Sequence, residues 1–124
     1  QLWLTVLKKS GIERILFQDG VGVHKLRIQE TGMFIAAVSR AAQKAGGILT
    51  PVVETFRQVD GPPINGNPFR AVPASFSALQ RQLAIAAAQP HTGIVAFSLP
   101  EYCSPYGIPG AANLYAQYKA SFRR

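Results

Sequence analysis

The chain has 124 residues and carries 13 Lys and Arg against 6 Asp and Glu, a net charge of +7. At 48% hydrophobic and 15% charged it is globular in composition, which excludes a disordered tail, because such a tail has more charge and fewer aromatics. No apolar run approaches the roughly 18 residues of a membrane-spanning helix, and a single cysteine, Cys103, excludes an internal disulfide.

Leu2, Trp3, Val6 and Leu7 recur at helical spacing, Lys8 and Lys9 follow, and Gly11 suits the position after a helix. The spacing predicts a helix over about 1–10. The chain begins with Gln1 rather than Met, in what reads as the middle of a helix, so a fragment or a processed product is expected and no signal peptide is visible. A strand is expected at 14–19. Ile15-Leu16-Phe17 is an apolar run of the kind buried on both faces of a parallel sheet, and Gln18-Asp19-Gly20-Val21-Gly22 closes it with polar groups and a sharp turn.

Met33, Phe34, Ala37, Val38, Ala41 and Ala45 share one helical face, which predicts a helix over about 31–45 with Thr31 as its cap. Ile48 to Glu54 reads as a second strand, although Pro51 cannot donate to a ladder. Residues 57–74 read as a long Pro- and Gly-rich loop. A helix over about 75–89 follows, capped by Ser75 or Ser77 and ended by Pro90. Gly93 to Ser98 is the third strand, 99–110 a loop, and Leu114, Tyr115, Tyr118 and Phe122 mark a last helix at about 111–122. Alternation of this kind predicts α/β architecture with a parallel sheet, in a single domain.

The basic residues are scattered over helices and helix ends, with no cluster of five and no interleaved aromatic platform. They read as solvated surface, so no nucleic acid is expected as a partner. His24 and His91 lie far apart and no metal-ligand spacing exists, so neither a metal nor another cofactor is expected. Gly20-Val21-Gly22 lacks the third glycine of a dinucleotide fingerprint, since position 25 is Lys25.

Three strand ends carry a resemblance. Phe17-Gln18-Asp19-Gly20-Val21-Gly22, then Val53-Glu54-Thr55-Phe56, then Ala96-Phe97-Ser98-Leu99-Pro100-Glu101-Tyr102-Cys103-Ser104-Pro105, with Leu114-Tyr115-Ala116-Gln117-Tyr118 closing, resembles a bacterial family called domain of unknown function 4434. Members look like glycoside-hydrolase-type TIM barrels. A complete barrel takes about 250 residues and eight βα units. The resemblance therefore implies the C-terminal part of a (β/α)8 TIM barrel, its strands the sixth to eighth. A small flavodoxin-like domain is the alternative fold, with a poorly covered sheet edge against it.

Two of the six carboxylates, Asp19 and Glu54, end predicted parallel strands, where α/β proteins build their sites. Glycoside hydrolysis needs two carboxylates, so both are candidate catalytic residues. Asp-Gly is also a common turn pair, and Glu54 also reads as an ion-paired loop residue beside Arg57. On the barrel resemblance, Glu54 takes the strand-seven place of a retaining glycosidase nucleophile. Gln18, His24 and Ser98 are candidate hydrogen-bonding groups for a sugar, Phe56 and Tyr102 candidate stacking rings, and Glu101 a rim residue. Cys103 lacks a base partner and reads as structural. The expected ligand is a carbohydrate. The rival readings are a non-catalytic carbohydrate-binding barrel and a basic nucleic-acid-binding module.

Overall fold

A computed structural model describes residues 2–59 and 70–122, apart from the side chain of Trp3. Much of the loop expected at 57–74 thus lies outside the described residues, as do Gln1 and the last two arginines. Three strands, β1 (Arg14–Gln18), β2 (Ile48–Glu54) and β5 (Val95–Phe97), form a parallel sheet in the order β1-β2-β5. Leu16 stands beside Thr50 and Gln18 beside Val52, while Glu54 stands beside Phe97. The Phe97–Ser98 peptide bond is cis.

The helices lie on one face of this sheet. Ile35 and Val38 of α2 (Ile28–Lys44) bury against Leu49, Ile15 and Phe17. Leu79 and Ala86 of α3 (Phe76–Ala87) pack with Val53, Cys103 and Leu114, the last from α5 (Ala111–Ser121). Helix α1 (Leu2–Ser10) rests on α2. Strand alternation sends Leu16, Gln18, Val95 and Phe97 to the opposite face. There Leu16 is 62% exposed and Phe97 49%, so the sheet is covered on one side only among the described residues.

Pro51 is tolerated in the central strand for a positional reason. Bonding alternates along β2: the Val52 carbonyl oxygen accepts from Asp19 on the β1 side, and the Thr55 N–H donates to Phe97 on the β5 side. The N–H that Pro51 lacks would face β5, which begins opposite Val52.

The expected boundaries move in four places. Helix α2 starts at Ile28, a turn before the expected start, and Thr31 is not its cap. Thr31 is buried inside the first turn, and its hydroxyl donates to the Ile28 carbonyl oxygen at 2.7 Å. The 57–74 stretch is not all loop, because β3 (Phe56–Gln58) pairs antiparallel with β4 (Ala71–Pro73). A one-turn helix, α4 (Leu99–Tyr102), opens the expected 99–110 loop, and the third strand shortens to Val95–Phe97. Ser75 is the cap of α3, its hydroxyl accepting from the Ala78 N–H at 3.2 Å.

Candidate functional site

The carboxyl ends of β1 and β2 hold a closed polar cluster. Glu54 has no exposed surface and Asp19 is 3% exposed. A buried charged group must find partners, and both find them in the backbone and in two glutamines.

For Glu54, one carboxylate oxygen accepts from the Gln18 amide. The other accepts from the backbone N–H of Gly22 at 2.5 Å and of Val23 at 2.9 Å. Gln18 is two residues before the turn on β1, and alternation brings it to the same sheet face as Glu54. The turn itself depends on glycine twice. Gly20 has φ +69°, a region L side chains rarely adopt. Gly22 approaches Phe56 so closely that a Cβ there would meet the Phe56 carbonyl oxygen at 2.5 Å.

Asp19 points the other way, toward the helices. Its Oδ1 accepts from the Val21 N–H at 3.2 Å, an Asx turn, and from the Glu54 N–H at 3.4 Å. Its Oδ2 accepts from the Gln82 amide at 2.8 Å. The same nitrogen of Gln82 donates to the Glu54 carbonyl oxygen at 3.1 Å. Burial pushes the Asp19 carboxyl from 3.8 up to about 6; the bonds from Gln82 and Val21 pull it down, and the nearby Glu54 charge adds a smaller upward push.

The structure brings Gln18, Asp19 and Glu54 together and separates the other expected residues from them. Phe56 and Tyr102 are 3% and 7% exposed. They stack on one another with centroids 4.8 Å apart, so neither ring presents an open face to a sugar. Of the three aromatics packed together here, Phe97 is the one with free surface, edge-on to Phe56 at 6.2 Å and at the carboxyl end of β5. Ser98 is half-buried, and its carbonyl oxygen accepts from the Thr55 hydroxyl at 3.1 Å. His24 is exposed on the turn, and Glu101 is exposed on α4. Cys103 is fully buried in the core, where desolvation raises its thiol pKa, as suits a structural residue. Among the described residues, no group of three or more His, Cys, Asp or Glu is placed to hold a metal ion. No helix of them is long and apolar enough to cross a membrane.

Gln82 was missed by sequence reading, although a signal was present. It lies three residues after Leu79 and four before Ala86, on the buried stripe of α3. A polar residue on such a stripe requires a buried partner.

These features define a mixed α/β protein whose parallel strands converge on a buried carboxylate cluster. The model of the family described as Domain of unknown function (DUF4434) matches residues 1–112, and the chain belongs to that family. Its fold is similar to the crystal structure of a candidate alpha-L-fucosidase from Bacteroides thetaiotaomicron VPI-5482, with a TM-score of 0.75 and 22% sequence identity. The similarity covers 97% of this chain and 35% of that one, so the chain spans about a third of its neighbour's length. No curated protein matches the chain.

Proposed function

We propose that the chain is the last three βα units of a (β/α)8 barrel acting on carbohydrate, a glycoside-hydrolase-like protein that works through strand-end carboxylates. One observation carries this reading: Asp19 and Glu54 are buried together, in one hydrogen-bonded cluster, at the carboxyl ends of adjacent parallel strands. That is where (β/α)8 enzymes place their reacting groups. The likeness to the fucosidase-type structure supports it at the level of fold. In this reading Asp19, whose carboxyl burial raises to about 6, is the group able to exchange a proton, and Glu54 is the carboxylate that faces the bound sugar. Gln18 and Ser98 offer hydrogen bonds at the rim, and Phe97 offers a ring face.

For Glu54 to react with a sugar, the Gly22–Val23 turn must release its two N–H bonds, because the carboxylate has no open surface. This requirement favours a second reading, a barrel that binds carbohydrate and has lost the chemistry, with Glu54 retained as a clamp.

Turnover of a panel of nitrophenyl glycosides by the full-length protein separates the two. Under the enzyme reading, Glu54→Gln and Asp19→Asn each cut turnover at least about a hundredfold, the low end for loss of a positioned acid–base group, while glycan binding persists. Undiminished turnover in Glu54→Gln would remove Glu54 from the mechanism. Glycan binding with no turnover by the native protein would establish the binding reading.

A further inference from the structure

On the helix side of Asp19 lies a cavity of about 790 Å³, within the roughly 300–1,000 Å³ of small-molecule sites. Its walls come from the β1–α2 turn, the start of α2, the β3–β4 ribbon and α3. Three arginines line it from three elements: Arg27 at the N-cap of α2, Arg57 on β3 and Arg81 on α3. All three residues are exposed, and none makes an ion pair among the described residues. Lys25 also lines the cavity, and no Asp or Glu among the described residues does.

The first turn of α2 adds to this field. Arg27, Ile28 and Gln29 line the cavity, and the N-cap side chain makes no capping bond there. Helix N-termini favour negative charge. Several basic side chains around one cavity give it a positive potential that favours an anion, and the planar fork of Arg is matched to carboxylate and sulfate oxygens.

A neighbouring side chain ties the cavity to the strand ends. Gln82 also lines the cavity and is 2% exposed. Its Nε2 is committed to Asp19 and to the Glu54 carbonyl oxygen, whereas its Oε1 is buried with no partner. A buried acceptor left unmade costs free energy. That oxygen has almost no accessible surface, so the link from the cavity to Asp19 runs through the Gln82 side chain as a whole.

We infer that this cavity binds a negatively charged sugar, its acidic group held by Arg27, Arg57 and Arg81. The sugar part rests on the carbohydrate reading above; the charge part does not. Gln82 donates to the Asp19 carboxylate and to the Glu54 carbonyl oxygen, so an occupant of the cavity lies against the residue that orients Asp19.

The test is calorimetric titration of the full-length protein with D-galacturonate, D-galactose and sodium sulfate. The first two differ only in carrying a carboxylate or a hydroxymethyl group. D-galacturonate binds more tightly than either of the others. Arg57→Ala and Arg81→Ala each weaken it about tenfold, the effect of losing one charge-assisted hydrogen bond, with an unchanged melting temperature because both side chains are exposed. Equal affinity for galactose and galacturonate overturns the inference, as do unchanged affinities in both arginine variants. Equal affinity for sulfate alone also overturns it, by showing an adventitious ion only. Absent galacturonate binding with neutral glycan binding or turnover retained removes this inference alone. Absence of both removes the carbohydrate reading with it.

Discussion

Gln82 and Asp19, 63 residues apart in the chain, are joined by a 2.8 Å hydrogen bond through the interior. The bond ties α3 to the end of β1, and the second bond of the same amide, to the Glu54 carbonyl oxygen, ties it to β2. One side chain thus holds three elements together where the strands that bear the two carboxylates end.

Replacing Gln82 by Leu keeps the volume and removes both bonds. Asp19 Oδ2 and the Glu54 carbonyl oxygen then lose a buried donor. The cost is about 1–3 kcal/mol per orphaned group, and it appears in denaturant titration as a lower midpoint with an unchanged slope. The Asp19 carboxyl also rises further above about 6, because the Gln82 bond lowers it in the native protein. A midpoint within error of the native one would mean that the bond contributes nothing to stability.

Asp19 has a calculable pH signature. Its folded value, about 6, is above its ordinary 3.8. Between these values the folded state holds the proton more firmly than the unfolded chain. The contribution of Asp19 to stability is therefore greatest below about pH 4, is lost as pH rises through 6, and stays lost above. The span is on the order of 3 kcal/mol at about 1.4 kcal/mol per unit. Asp19→Asn removes this slope, and a stability curve from pH 4 to 7 in the native and variant proteins checks it. Parallel curves would show that Asp19 is not the titrating group.

Much of this arrangement is legible in the sequence. Apolar runs ending in Gln18-Asp19 and in Glu54 announce strands with polar groups at their carboxyl ends, and the Ser75/Ser77 pair announces a helix start. These signals are local, because strand burial and capping depend on neighbours within a few residues. The β3–β4 ribbon is not legible, because each strand is three residues long and three residues carry no period. Aromatic exposure is not legible either. Phe56, Phe97 and Tyr102 are similar in a one-dimensional reading. Which of them is left open depends on the sheet face and on the docking of α4, both of which are set by tertiary packing.

The open sheet face yields a prediction about residues 1–124 by themselves. Leu16, Val95 and Phe97 expose 62%, 42% and 49% of their surface on the side away from the helices. Exposed apolar groups left on a sheet face in this way recruit partners or aggregate. Residues 1–124 expressed alone bind a hydrophobic dye, and the double variant Leu16→Thr, Phe97→Ser binds less of it. A soluble monomer with a cooperative thermal transition and no dye binding would argue for an independent small domain and against the proposed barrel.

The last prediction concerns Gly22, which joins the turn to Glu54. Its N–H lies 2.5 Å from the Glu54 carboxylate, and its carbonyl oxygen accepts from the Gln58 N–H at 3.2 Å. Both sides of the residue are thus committed. A Cβ at this position would sit 2.5 Å from the Phe56 carbonyl oxygen and 2.7 Å from its ring. The ring packs between Phe97 and Tyr102 and the oxygen is backbone, so neither neighbour gives way easily. In Gly22→Ala the turn moves instead, and the bond to Glu54 lengthens or breaks. Overpacking costs about 1–3 kcal/mol, to which the under-satisfied carboxylate adds. Gly20→Ala is the informative comparison. There the strain is the positive φ, and the nearest atoms are the flexible ends of Leu26 and His24 at 3.1 and 3.3 Å, so its cost comes from the backbone alone. Thermal unfolding of both variants, each alone and combined with Glu54→Gln, separates the two effects. Coupling between Gly22→Ala and Glu54→Gln of more than about 0.5 kcal/mol, with none for Gly20→Ala, is the expected result for residues in direct contact. Strict additivity in both cycles would mean that the turn and the carboxylate are energetically independent.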